Sequence, residues 1–210
     1  MKRVIFLIVT IGTLLVACSS SQQPTATPLP PTATPVPTVV ITGKGVTITL
    51  PDSYIGGSQE DVDMLIERLN EMGGSYAEAA KTLKDNPEMY LIYAYDTKMG
   101  STGALTNVNV ATMQLPSGIT LESQMQSVID AYENAGFTDI EKQACVYDDN
   151  ECIELRAAQT VNGIKIQVLQ YFVKKGVDAY LVTFGTEISE FPERYPEFSQ
   201  AFNTFQILED

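Results

Sequence analysis

ECIELRAAQTV (151–161), NG (162–163) and IKIQVLQYFV (164–173) form the stretch on which the fold turns. Asn-Gly between two alternating, β-branched runs is the strongest short hairpin signal, because both residues tolerate the left-handed backbone that a tight hairpin turn demands. Outward from it, Phe137–Tyr147 leads in through Asp148-Asp149-Asn150, and Ala179–Gly185 follows after Lys174-Lys175-Gly176. Four strands joined by such short turns make an antiparallel meander. The last two are apolar on both faces, Ile164, Ile166 and Val168 against Leu169, Tyr171 and Val173, then Tyr180, Val182 and Phe184 against Leu181. A sheet of such strands is covered on both sides.

The remaining elements are read the same way. Val39–Thr42 and Val46–Leu50 flank Gly43-Lys44-Gly45 as a hairpin that ends at Pro51-Asp52-Ser53-Tyr54. Ser58 with Asp61 forms a capping box for a helix whose apolar face is Val62, Leu65, Ile66, Leu69 and Met72. Gly73-Gly74 stops it, and Ser75 and Glu78 open a shorter helix carrying Tyr76, Ala79, Ala80 and Leu83, ended by Pro87. Strands Met89–Asp96 and Asn107–Leu115 follow, joined through Gly100–Gly103. Thr120 caps a helix with Leu121, Met125, Val128, Ile129 and Tyr132 on one face, closed by Gly136. A final helix from about Tyr195 buries Phe198, Ala201, Phe202 and Phe205. The order ββ, αα, ββ, α, ββββ, α predicts an α+β fold. Its core is an antiparallel sheet of six or more strands with helices on both faces, a three-layer α/β/α sandwich.

The N-terminal segment has another character. Lys2 and Arg3 precede an apolar run, Val4–Ala17, too short for the roughly 20 residues of a transmembrane helix. It ends in Leu15-Val16-Ala17-Cys18, which resembles the signal box of bacterial lipoproteins. That resemblance implies a signal peptide over 1–17 and lipidation of Cys18, hence a place on the extracytoplasmic face of the cell membrane. Two or three acyl chains anchor a protein stably where one does not. From Ser19 to Thr38 the chain is rich in Ser, Gln, Pro and Thr, with PTATPLP (24–30) repeated as PTATPVP (31–37). This composition predicts an extended polyproline tether, reaching some 60 Å at about 3.1 Å per residue. The globular domain is then 39–210, with the helical pair at about 59–86 as an insertion.

Composition narrows function. The net charge of −13 becomes −15 once Lys2 and Arg3 leave with the signal peptide. So acidic a chain lacks the basic footprint for nucleic acid or anionic head groups. It has no histidine, so the commonest general base and zinc ligand are missing. No phosphate-binding Gly loop, nucleophile elbow or metal-spaced cluster occurs, and no cofactor is implied.

Three candidate sites remain. Cys145 and Cys152, an even pair in an exported domain, read as a disulfide across the Asp148-Asp149-Asn150 turn. The alternative, a redox or metal pair, would lack a histidine, a third thiol and C-x-x-C spacing. Asp148, Asp149, Asn150 and Glu151 gather oxygen ligands that calcium could use, but a three-residue turn cannot wrap an ion that wants six to eight oxygens. Tyr90, Tyr93, Tyr95, Tyr147, Tyr171 and Tyr180 suggest an aromatic binding surface, against the plainer reading of strand tyrosines packed under helices.

The run Gly45-Val46-Thr47-Ile48-Thr49-Leu50-Pro51-Asp52-Ser53-Tyr54 is similar to the opening of PsbP-like domains. Ala179–Phe184, then Phe198 and Asn203–Ile207, resemble their final strand and helix. The family includes accessory subunits of the oxygen-evolving complex, a Ran-binding import factor and exported lipoproteins. The resemblance implies a non-enzymatic binding or accessory module for an envelope protein complex. A small-ligand receptor for sugar, peptide or lipid, working with a transporter and using 59–86 as a lid, is the alternative. A histidine-free hydrolase built on two carboxylates is more remote.

Overall fold

The computed structural model describes residues 36–57, 59–86 and 90–208. The signal box, Cys18 and most of the tether lie outside these residues, as do Ser58, Pro87 and Met89.

The Asn162-Gly163 turn forms as expected, with φ of 52° and 81° at its two residues. It joins β7 (Glu151–Val161) to β8 (Ile164–Lys175) in an unbroken antiparallel register from Glu151↔Lys174 to Val161↔Ile164. β6 (Thr138–Ala144) and β9 (Asp178–Glu187) flank this pair. β3 (Tyr54–Gly56), β4 (Tyr90–Asp96) and β5 (Asn107–Gln114) complete a seven-stranded antiparallel sheet in the order β3-β4-β5-β9-β8-β7-β6. β1 (Thr38–Gly43) and β2 (Val46–Pro51) form the expected hairpin, in a separate three-stranded sheet with β10 (Gln206–Ile207).

Strand register sorts the two faces. Ala94, Val108, Phe184 and Leu169 lie side by side across β4, β5, β9 and β8 and belong to the main core. α4 (Phe191–Phe202) and the small sheet cover that face. The opposite residues, Phe172, Leu155 and Leu181, meet α3 (Leu121–Asn134) through Leu121 and Met125. Farther along the same face, Tyr93 and Tyr95 meet α1 (Gln59–Met72) and α2 (Gly74–Asp85) through Leu65, Leu69, Ala80 and Leu83. The architecture is α+β, with helices on both faces of the sheet.

Helix ends follow local chemistry. Thr120 Oγ1 accepts from the Ser123 N–H at 3.2 Å and caps α3. Gly73, between α1 and α2, and Gly74, the first residue of α2, both take positive φ, where a Cβ would be strained. α4 begins at Phe191, four residues before the expected Tyr195. Pro192 in its first turn has no N–H to leave unsatisfied, so proline opens the helix there. The short β3 and β10 escape a pattern search because two or three residues carry no periodicity.

Candidate functional site

Two concavities stand out, one beside the end of α4 and one between the helical pair, β4 and the β1–β2 turn. The first begins with Cys145 and Cys152, which are disulfide-bonded across the β6–β7 connection. Cys152 is buried against the main core, and the Cys145 N–H donates to the Cys152 carbonyl at 3.1 Å. Asp148 turns the chain with φ of 47°, and Tyr147 bridges Asn150. The bond therefore fixes a tight tip, and this tip holds Val146 at 83 % exposure. Beneath it Tyr147 rests between Phe202 and Phe205, at ring distances of 5.8 and 5.7 Å. Its hydroxyl donates to the Phe205 carbonyl at 3.3 Å. Together with Asp148, Lys175, Asn203 and the exposed Leu208, these residues line a groove of about 530 Å³.

The second concavity, about 310 Å³, lies under the helical pair. Val62 of α1, Leu83 of α2 and Tyr90, Leu91 and Tyr93 of β4 form its walls, with Thr42, Lys44 and Asn86 among its polar lining. The Tyr90 and Tyr93 rings meet edge to face at 5.4 Å. Burial pushes both phenols above their ordinary range.

Buried carboxylates outside these concavities are bound to donors. Asp96 accepts from Arg194 at 2.8 Å, and Arg194 also pairs with Glu190 at 3.2 Å. Tyr54 donates to Glu197 at 3.3 Å, and burial raises the pKa of that carboxyl. Glu154 accepts from Gln143 at 2.8 Å and from Arg156 at 2.7 Å, while the Arg156 guanidinium lies 4.2 Å over the Tyr195 ring. Glu187 accepts from Ser189 and from Thr102, both at 2.7 Å, which holds its pKa below the usual range. Glu187 and Glu190 thereby clamp the Gly100–Gly103 loop. A Cβ on Gly100 would come within 2.7 Å of Glu190 Oε1, a contact the flexible Glu190 side chain can relieve by shifting.

The tyrosines singled out from the sequence are divided between the two faces. Tyr171 is buried under α4, stacked on Phe202 at 3.8 Å, and Tyr180 packs at the edge of the same cluster. Tyr95 is buried under α1 and α2, where Tyr90 and Tyr93 also pack. They form no single aromatic surface, because alternate strand positions face opposite ways. Of the four oxygen-bearing residues at the tip, Glu151 turns away. It accepts from the Leu121 N–H at 3.0 Å and from Lys174 at 3.2 Å, which lowers its pKa. Among the described residues no group of three or more carboxylates and thiolates is placed to hold a metal ion. Sequence reading missed the groove, since the tip at Val146 meets the Phe205–Leu208 segment only where Tyr147 packs on Phe202 and Phe205.

No family model and no curated protein matches the sequence. Solved structures do match in fold. Cyanobacterial PsbP (CyanoP) from Synechocystis aligns with a TM-score of 0.53 at 11 % identity, over 83 % of this chain and 95 % of that one. LpqN, involved in cell envelope biogenesis of Mycobacterium tuberculosis, aligns with a TM-score of 0.52 at 11 % identity, over 82 % and 91 %. The fold is PsbP-like.

Proposed function

We propose that the chain is a membrane-anchored, extracytoplasmic lipoprotein whose globular domain is a non-enzymatic binding or accessory module for an envelope protein complex. The observation that carries the reading is the disulfide-pinned tip, which holds Val146 in solvent on the rim of the groove. A side chain already held in place beside a groove loses little entropy when a partner covers it, which favours an interface there. The disulfide also suits an oxidising compartment, in keeping with the lipobox at Leu15–Cys18. LpqN's role in envelope biogenesis is compatible with this work at the cell envelope. The buried carboxylates, bound as they are to internal donors, are assigned to structure and not to catalysis.

The test is in-cell cross-linking of the tagged full-length chain. One dominant envelope protein is expected, lost in Val146→Asp but kept when the tether is shortened. Capture indifferent to Val146→Asp, or no envelope protein at all, would sink the accessory reading. Cys18→Ser is expected to move the chain from the membrane fraction to the soluble one. The second reading, a small-ligand receptor, is favoured by the cleft under α1 and α2.

A further inference from the structure

The groove beside the pinned tip has walls from two segments far apart in the chain. The tip contributes Tyr147 and Asn150, and the end of α4 with β10 contributes Asn203, Gln206 and Leu208. Tyr147 joins the two, its ring between Phe202 and Phe205 and its hydroxyl donating to the Phe205 carbonyl. Three carboxamide side chains are thus set around one concavity, on a frame that the disulfide fixes. Each carries a carbonyl that accepts and an NH2 that donates. Asn203 and Gln206 are exposed and Asn150 is half-buried, so all three reach solvent. Apolar surface stands beside them, with Val146 at 83 % exposure and Leu208 at 44 %. The volume of about 530 Å³ lies within the ordinary range of ligand sites. At roughly 30 Å³ for each water-sized group, it accommodates about eighteen heavy atoms. That is more than one hexose and less than a whole disaccharide.

We propose that this groove binds a neutral saccharide, with hydroxyls at Asn150, Asn203 and Gln206 and the C–H surface of a ring against Val146 and Leu208. A sugar ring carries hydroxyls at its edge and C–H groups on its faces, the same pairing of polar and apolar surface that the lining offers. A carboxamide meets a hydroxyl as donor or as acceptor, without the cost of desolvating an ion. A peptide strand is served less well, because β10 has two residues and is too short an edge for strand addition. One sugar unit fills the groove and a second reaches out of it. The inference goes beyond the accessory reading and shares with it only the rim residue Val146.

The experiment is an NMR titration of the isotope-labelled full chain carrying Cys18→Ser, read at the side-chain amide signals of Asn150, Asn203 and Gln206. Cellobiose is the saccharide probe, tetraethylene glycol a chain of ether acceptors, and tetra-alanine a peptide. Cellobiose is expected to shift all three amides along one saturable curve, with a dissociation constant of about 1 mM. Asn203→Leu and Gln206→Leu, at exposed positions, are each expected to weaken cellobiose about fivefold, the worth of one hydrogen bond, with the melting temperature unchanged. Equal shifts from tetraethylene glycol overturn the assignment to hydroxyls. Shifts from tetra-alanine without shifts from cellobiose overturn the saccharide in favour of a peptide. Cellobiose binding untouched by both substitutions overturns the site. Failure of all three probes overturns the inference and leaves the accessory reading standing, since capture through Val146 needs no sugar.

Discussion

On one face of the sheet α4 is held by stacked rings and ions; on the other, α1 and α2 set aliphatic side chains against the tyrosines of β4. Phe198 stacks on Phe184 at 4.8 Å, Phe202 stacks on Tyr171, and Arg194 reaches the buried Asp96. The helical pair instead buries Leu65, Leu69, Ala80 and Leu83 in a cluster of its own. Stacked rings and a hydrogen-bonded ion pair have few alternative arrangements, whereas aliphatic side chains repack at low cost. The groove borders the helix whose packing has few alternatives, and the cleft borders the pair that can repack.

Substitutions can break or sharpen this contrast. The largest effect is expected from Phe202→Ala, which removes a ring shared by Tyr171 and Tyr147 and should cost about 3–5 kcal/mol in urea unfolding. Arg194→Met leaves Asp96 buried without its cation and should cost about 3 kcal/mol by the same measurement. Leu69→Ala in α1 should cost about 2–3 kcal/mol, but locally. Hydrogen exchange should quicken across 59–86 while β7 and β8 keep their protection. If the whole domain loses protection together, the two faces are one cooperative unit and the contrast fails.

Reduction of Cys145–Cys152 opens a short loop, seven residues in separation, and should cost about 2 kcal/mol. It should also weaken partner capture. The smallest effect is confined to alkaline pH. Burial pushes the Tyr132 phenol, which donates to Gln170 at 2.7 Å, up to about 12. An unfolded phenol titrates near 10. The folded state therefore binds this proton more tightly, so its stabilisation is complete below about pH 10 and is lost as pH rises towards about 12. Tyr132→Phe should flatten that decline, read from melting temperature against pH.

Much of the architecture was legible because its signals are local. Asn162-Gly163, the Thr120 cap and Gly73-Gly74 act through backbone preferences that need no distant neighbour. Double-sided apolarity in β8 and β9 already required cover on both faces. What was not legible is where distant segments meet. Tyr171 and Tyr93 read alike in sequence, but strand register sends one beneath α4 and the other beneath α1 and α2. Arg194 and Asp96, 98 residues apart, pair only because α4 folds back over β4.

By itself, then, the amino-acid sequence determined the order of the helices and longer strands, the acidic, histidine-free chemistry and the spacing of Cys145 and Cys152, since these rest on short-range sterics and composition. Only the tertiary structure decided that the pinned tip, the end of α4 and β10 enclose one groove, and that α1, α2 and β4 enclose a cleft. A concavity is made of gaps between packed surfaces, and those depend on contacts far apart in the chain.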